Sequence, residues 1–205
     1  MDLYTAIKKR RTVRDFTDQE VPADKIERIL DAGLRGPSGN HLRDIHFVVI
    51  RSKERISEVV KMVGVHATMQ MERVMASDMQ GSQRSMYLDA VPKQRQMLLQ
   101  ASALVLPYFR HHGDFNQANG VTTYNNFASA WCAINNILLA ATAEGLGCAL
   151  RIPIGSEPEY VGQLVDAPEG YIMCCYLGIG YPAQDAVVID QVPVNTANRV
   201  HFERW

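Results

Sequence analysis

The sequence predicts an α+β fold in a single domain spanning residues 1–205. Apolar residues recur at helical spacing in several segments, and about four short runs read as strands. The strands do not alternate with helices regularly enough for a doubly wound sheet. With 205 residues, 47% of them hydrophobic and 21% charged, the chain has the balance of an ordinary globular protein. A core of that size needs no disulfide or structural metal.

Leu3, Tyr4, Ala6 and Ile7 give residues 2–9 the spacing of a short amphipathic helix that leads into a basic segment. Pro22 opens a second helix with Ile26, Ile29, Leu30 and Leu34 on one face, and Arg35-Gly36-Pro37 stops it. The loop Pro37-Ser38-Gly39-Asn40-His41 follows, then a strand from Ile45 to Ile50. Lys53 to Val63 reads as helix. His66 to Asp89, rich in Met, Gln and Ser, reads as helix broken near Gly81, and a further helix is expected after Pro92. Ala103 to Phe109 is a buried strand interrupted late by Pro107, and residues 113–120 form a polar turn. Tyr124 to Glu144 is the longest helix. Its apolar residues cover nearly every side, so it should be buried nearly all round as a core and subunit-interface helix, ending at Gly145-Leu146-Gly147. A short strand at Cys148–Ile152, a helix at Glu157–Leu164 with Ser156 as cap, and a continuous strand from Tyr171 to Gly178 complete the core. From Val187 onward the chain is extended.

Several classes are disfavoured. A net charge of −1 gives no reason to expect nucleic acid or an anionic membrane as partner. The apolar stretch Phe127–Ala143 carries Asn135 and Asn136 at its middle and does not read as a membrane span, and Met1-Asp2-Leu3-Tyr4 lacks the order of a signal peptide, so a cytoplasmic protein is expected. Cys132, Cys148, Cys174 and Cys175 all lie in apolar segments without a CxxC pair, and no metal site is expected from them or from His111 and His112. Cys174 and Cys175, adjacent in a strand, should point to opposite faces. All four read as small buried hydrophobes.

Arg10, Arg11, Thr12 and Arg14 place three guanidinium groups and a hydroxyl within one short segment. Such forks of donors suit phosphate oxygens. Arg10 and Arg11 could instead simply complement the C-terminal end of the first helix, and an extended backbone would put Arg11 and Thr12 on opposite faces. Pro37, Ser38, Gly39 and Asn40 make a turn whose amide could also hydrogen-bond a flat heterocycle. Gly178-Ile179-Gly180-Tyr181-Pro182-Ala183 fits a dinucleotide fingerprint only on paper, because no helix opens there. The acids Asp15, Asp18 and Glu20 read as a solvated turn. With no nucleophile elbow, HExxH or phosphate loop, the chemistry falls to a cofactor.

Taken in order, these segments resemble the nitroreductase family of flavoproteins. Arg10-Arg11-Thr12-Val13-Arg14-Asp15-Phe16 is similar to the family's RRS-x-R-x-F start, with Thr12 in the serine position. Gly36-Pro37-Ser38-Gly39-Asn40 followed by Phe47-Val48-Val49-Ile50 resembles its APS-x-x-N…FVVV stretch. Ala133–Ala141 ending at Gly145-Leu146-Gly147 resembles its long dimer helix, and Pro168-Glu169-Gly170-Tyr171 with Leu177-Gly178-Ile179-Gly180-Tyr181-Pro182 resembles its PEGY…LGYP signature.

The resemblance implies a three-layer fold, a central mixed or antiparallel sheet flanked by helices, in a homodimer that exchanges helices and the tail from about residue 187 to residue 205. It implies FMN at the interface. Arg10, Arg11, Thr12 and Arg14 would hold the phosphate and ribityl chain, with Arg199 closing on the phosphate. Pro37, Ser38, Gly39 and Asn40 of the partner subunit would line the isoalloxazine. Pro153, Ile154 and Gly155 match the family's loop whose backbone N–H groups would approach flavin N5. It also implies ping-pong transfer from NAD(P)H through FMN to a nitroaromatic or quinone. Oxygen-dependent breakdown of reduced FMN, as in flavin destructases, and FMN binding without turnover are the alternatives. Leu42-Arg43-Asp44 and Arg151-Ile152-Pro153-Ile154-Gly155 depart from the family pattern, and residues 66–89 match none of it.

Overall fold

The computed structural model describes every residue except 112, 114, 116, 118 and 119. The polar turn expected at 113–120 therefore lies partly outside the described residues; at its two ends Gly113 and Gly120 adopt positive φ.

Five strands form one sheet: β1 (Ile45–Ile50), β2 (Ala103–Arg110), β3 (Gly147–Arg151), β4 (Tyr171–Met173) and β5 (Tyr176–Gly180). The order is β1-β2-β5-β3, with β4 also on β2, and every ladder is antiparallel. Side chains of β2 alternate between two helical layers. Ala103, Val105 and Phe109 meet α2 (Ala23–Leu34) and α7 (Asn125–Ala143). Leu104, Leu106 and Tyr108 meet α3 (Lys53–Val59), α6 (Gln96–Gln100) and α8 (Glu157–Leu164). The three-layer α+β architecture thus follows from period-2 alternation in strands that are apolar on both faces.

The run from Tyr171 to Gly178 is not one continuous strand. Tyr108 pairs with Met173 whereas Val105 pairs with Leu177, so one extra residue sits in the later strand, and Cys174 and Cys175 form a bulge. Both cysteines consequently enter the same core layer, beneath α7, rather than pointing to opposite faces. The bulge also accommodates Pro107 inside a central strand. Its carbonyl accepts from Cys174 N–H at 2.8 Å, and its missing N–H falls on the same, locally interrupted side of the ladder.

Other boundaries shift for local reasons. Pro92 falls in the last turn of α5 (Gly81–Lys93) instead of preceding a helix, and α6 begins only at Gln96. Residues 66–80 supply α4 (Ala67–Ala76) and a link to α5. Ser156 makes no side-chain cap on α8; the carboxylate of Glu157 instead accepts Ile154 N–H at 3.3 Å. The helix α7 is less enclosed than its composition suggests. Ala130, Ala133, Ile134, Ile137 and Ala141 are buried, but Ala128, Cys132 and Asn135, successive helical turns apart, are exposed, as is Ala143 two turns further on. Cys132 is thus exposed, while burial pushes the thiols of Cys148 and Cys174 up to about 12.

Candidate functional site

The N-terminal segment reaches the sheet because two glycines make room for it. The helix α7 ends in a Schellman motif: Gly145 at φ +76° lets Leu146 N–H bond Ala141 O at 2.8 Å and Gly145 N–H bond Thr142 O at 3.1 Å. The chain then turns directly into β3. A Cβ on Gly147 would lie 2.7 Å from Val13 Cβ, and one on Gly180, its partner in the ladder, 2.9 Å from Phe16. With those positions bare, Val13 and Phe16 bury themselves, and Val13 N–H donates to Cys148 O at 3.0 Å. Thr12 forms an isolated parallel bridge with Cys148.

Arg10, Arg11, Thr12 and Arg14 all line one cavity of about 490 Å³, together with Ser82, Gln83 and Met86 of α5 and residues 189–192 and 194 of the tail. Arg11 and Thr12 both line this cavity, so an extended backbone does not separate them. The three guanidinium groups are in different states. Arg10 makes no side-chain hydrogen bond or ion pair among the described residues. Arg11 donates to the carbonyls of Lys8 and Arg10, each at 2.8 Å, capping the end of α1 (Leu3–Lys9). Arg14 is buried and pairs with Asp89 at 3.1 Å, and Lys93 joins Asp89 at 2.9 Å to Asp15 at 2.7 Å. The Nε of Arg14 is buried with no partner among the described residues.

Arg14 and Met86 also line a second, larger cavity of about 590 Å³, enclosed by α4 and α5 against β3. Its walls are mostly apolar, and its other cations come from Arg73 and Arg151. Arg151 is buried and doubly paired with Glu157, through Nη1 to Oε2 and through Nη2 to Oε1 at 2.7 Å. Its Nε donates to Gln94 at 2.8 Å, and Gln94 in turn donates to Gln70 of α4 at 2.9 Å. A polar chain, buried at Gln94, Arg151 and Glu157, therefore runs from α4 past the end of α5 and through β3 to the start of α8. Glu157 closes it onto the loop of Pro153, Ile154 and Gly155, where Gly155 is exposed at φ +57°. Sequence reasoning did not find this chain, nor the Arg14–Asp89 pair. The only trace was an unmatched Met- and Gln-rich segment.

The remaining expected site residues lie apart. Pro37, Ser38, Gly39 and Asn40 line neither cavity of their own chain. They dock on the first turns of α7, where Gly39 N–H donates to Ser129 Oγ at 2.9 Å, and Asn40 is exposed in the left-handed region at φ 52°. Arg199 is exposed and outside the cationic cavity, although the preceding tail residues cross it. Among the described residues no group of three or more His, Cys, Asp or Glu could hold a metal, and no helix is long and apolar enough to cross a membrane.

The chain is similar along its length to known proteins. A protein of Methanothermobacter thermautotrophicus, provisionally named NADH dehydrogenase/NAD(P)H nitroreductase, is 29% identical, with 100% of this chain and 88% of that protein covered. Iodotyrosine deiodinase 1 of Mus musculus is 26% identical over 92% of this chain and 65% of its own length. In fold, the chain matches oxidized iodotyrosine deiodinase bound to FMN and 3-iodo-L-tyrosine with a TM-score of 0.74 at 21% identity, and a BluB-like flavoprotein from Clostridium difficile 630 with the same score and identity, each over 100% of both chains. The model of the nitroreductase family matches residues 7–181, and with that match over most of its length the chain belongs to the nitroreductase family.

Proposed function

We propose that this protein is an FMN-dependent oxidoreductase taking electrons from NAD(P)H and passing them to a small-molecule acceptor such as a nitroaromatic or quinone. The observation that carries the reading is Arg14, whose buried Nε has no partner among the described residues and lies in the wall shared by a cationic and an apolar cavity. That pairing suits a ligand with an anionic end and a flat apolar end. Arg10 and Thr12, whose side chains make no hydrogen bond among the described residues, would hold the phosphate, with Arg11 beside them. Bound FMN would supply the electron-carrying chemistry, accepting two electrons from a nicotinamide donor and giving them to the acceptor. The chain supplies position and exclusion of water: the α4–α5 pair roofs the larger cavity, and the Arg151–Glu157 pair holds the loop containing Ile154 and Gly155 at its end.

A homodimer fits the surface of the single chain. Leu3, Tyr4 and Ile7 of α1 are exposed, as are Ala128, Cys132 and Asn135 of α7 and Val192, Val194, Val200, Phe202 and Trp205 of the tail. In such a dimer Pro37, Ser38, Gly39 and Asn40, with Arg199 of the exchanged tail, would complete the flavin site from across the interface. Four free cysteines, three of them buried, suit the reducing cytoplasm.

An anaerobic titration of the purified protein with NADH and with NADPH, followed in the flavin absorption bands, tests the reading. Bleaching by either nucleotide and recolouring by an added quinone are the expected results. Colourless protein that ignores added FMN would overturn the cofactor, and bound FMN that neither nucleotide reduces would overturn the donor. The iodotyrosine deiodinase relatives favour a second reading of the acceptor, a halogenated phenol reduced with release of halide. Iodide release from 3-iodo-L-tyrosine by the reduced protein would select it.

A further inference from the structure

We infer that the α4 side of the larger cavity, beside the flat end of the cofactor proposed above, selects flat apolar molecules bearing an anionic group such as a carboxylate, and that Arg73 and Gln70 read that group. The inference deepens the proposed function by naming the class of acceptor, and it rests on that reading for the reaction but not for the binding.

The helical repeat sets the arrangement. On α4, Gln70, Arg73 and Val74 stand at i, i+3 and i+4, so they share the face that lines the cavity. Opposite them, Met79, Met86, Val91 and Ile152 contribute apolar walls. Thioether side chains are adaptable and polarizable, suiting a flat ring without dictating one outline. No aspartate or glutamate lines the cavity, whereas three arginines do.

Those arginines are not equivalent. Arg14 is paired with Asp89 and Arg151 with Glu157. Arg73 has no carboxylate partner among the described residues and donates only to the thioether of Met69 at 3.7 Å, a weak acceptor. Gln70 accepts from Gln94 through its side-chain oxygen, which leaves its NH2 without a protein acceptor among the described residues. Unspent donors a single helical turn apart, at the rim of an apolar cavity without acids, favour an anion and disfavour a cation.

Calorimetric titration of the purified holoprotein with 2-naphthoate and with its neutral amide, 2-naphthamide, tests this without turnover. Naphthoate should bind about fivefold more tightly, the scale of a partly exposed charge pair. Arg73→Gln should bring the two affinities within about twofold, and Arg73→Lys should retain part of the preference. Equal binding by the wild-type protein overturns the inference. So does a preference that survives Arg73→Gln. Protein that takes up no added FMN but keeps the naphthoate preference refutes the flavin reading and leaves this inference standing; flavoprotein without the preference does the reverse.

Discussion

The two cavities that meet at Arg14 are built in opposite ways. Four residues of the cationic cavity, Arg10, Arg11, Thr12 and Arg14, come from one short run of sequence. The larger cavity is assembled from α4, α5 and β3, whose contacts span long stretches of chain, as in the Gln94–Arg151 bond between residues 57 positions apart. Charge is handled differently too. Among the described residues each cavity keeps one arginine without a carboxylate partner, Arg10 in the first and Arg73 in the second, but the second also neutralises Arg151 with Glu157, and Arg14 in the shared wall is paired with Asp89. A free guanidinium is available to an incoming anion, while a paired and buried one holds the wall together. Counting arginines around a site is therefore a poor guide to what the site binds.

The largest expected effect belongs to the wall. Glu157→Ala would leave Arg151 buried without its carboxylate and should cost about 3–5 kcal/mol of stability, read from urea unfolding. A loss below 1 kcal/mol would mean that water or Gln94 compensates, and the contrast between wall and grip would weaken. Next comes the grip. Arg10→Ala should reduce FMN affinity at least tenfold, about the worth of one charge-assisted bond, while the unfolding midpoint stays close to that of the wild type. FMN binding at wild-type affinity would show that the grip is drawn wrongly. Arg14→Ala is the less decisive variant, since it changes an ion pair as well as a cavity wall, although Lys93 still accompanies Asp89. The smallest effect is expected for Arg11→Ala. Its guanidinium already serves the carbonyls of Lys8 and Arg10, so FMN affinity should fall less than about threefold by fluorescence titration.

Much of this was legible in the sequence. Apolar periodicity located the principal helices and strands, and Gly145-Leu146-Gly147 marked the end of α7 because a left-handed residue must follow a helix closed in that way. Arg10–Arg14 was visible because its residues are contiguous. Less legible were features decided by tertiary partners. Nothing local to Arg14 announces Asp89, 75 positions away, and nothing near β3 announces that Gln94 and Gln70 will continue the chain from Arg151. The apolar character of α7 was legible, but composition does not say which side of it packs against the rest of its own chain. The face of each residue in the run 171–178 could not be read from alternation either, because alternation assumes an unbroken ladder.

That broken ladder has a consequence for the length of the chain. Before the bulge at Cys174 and Cys175, the odd-numbered Tyr171 and Met173 pack toward α3, α6 and α8; after it, the even-numbered Tyr176 does. The extra residue is thus a switch of parity. Deleting either cysteine would restore a straight strand only by turning one half of it inside out, exchanging Met173 with Ile172 or Tyr176 with Leu177 between the two layers. Small apolar replacements at 174 and 175 leave that count unchanged. At this point in the chain, the number of residues constrains the fold more tightly than their identity.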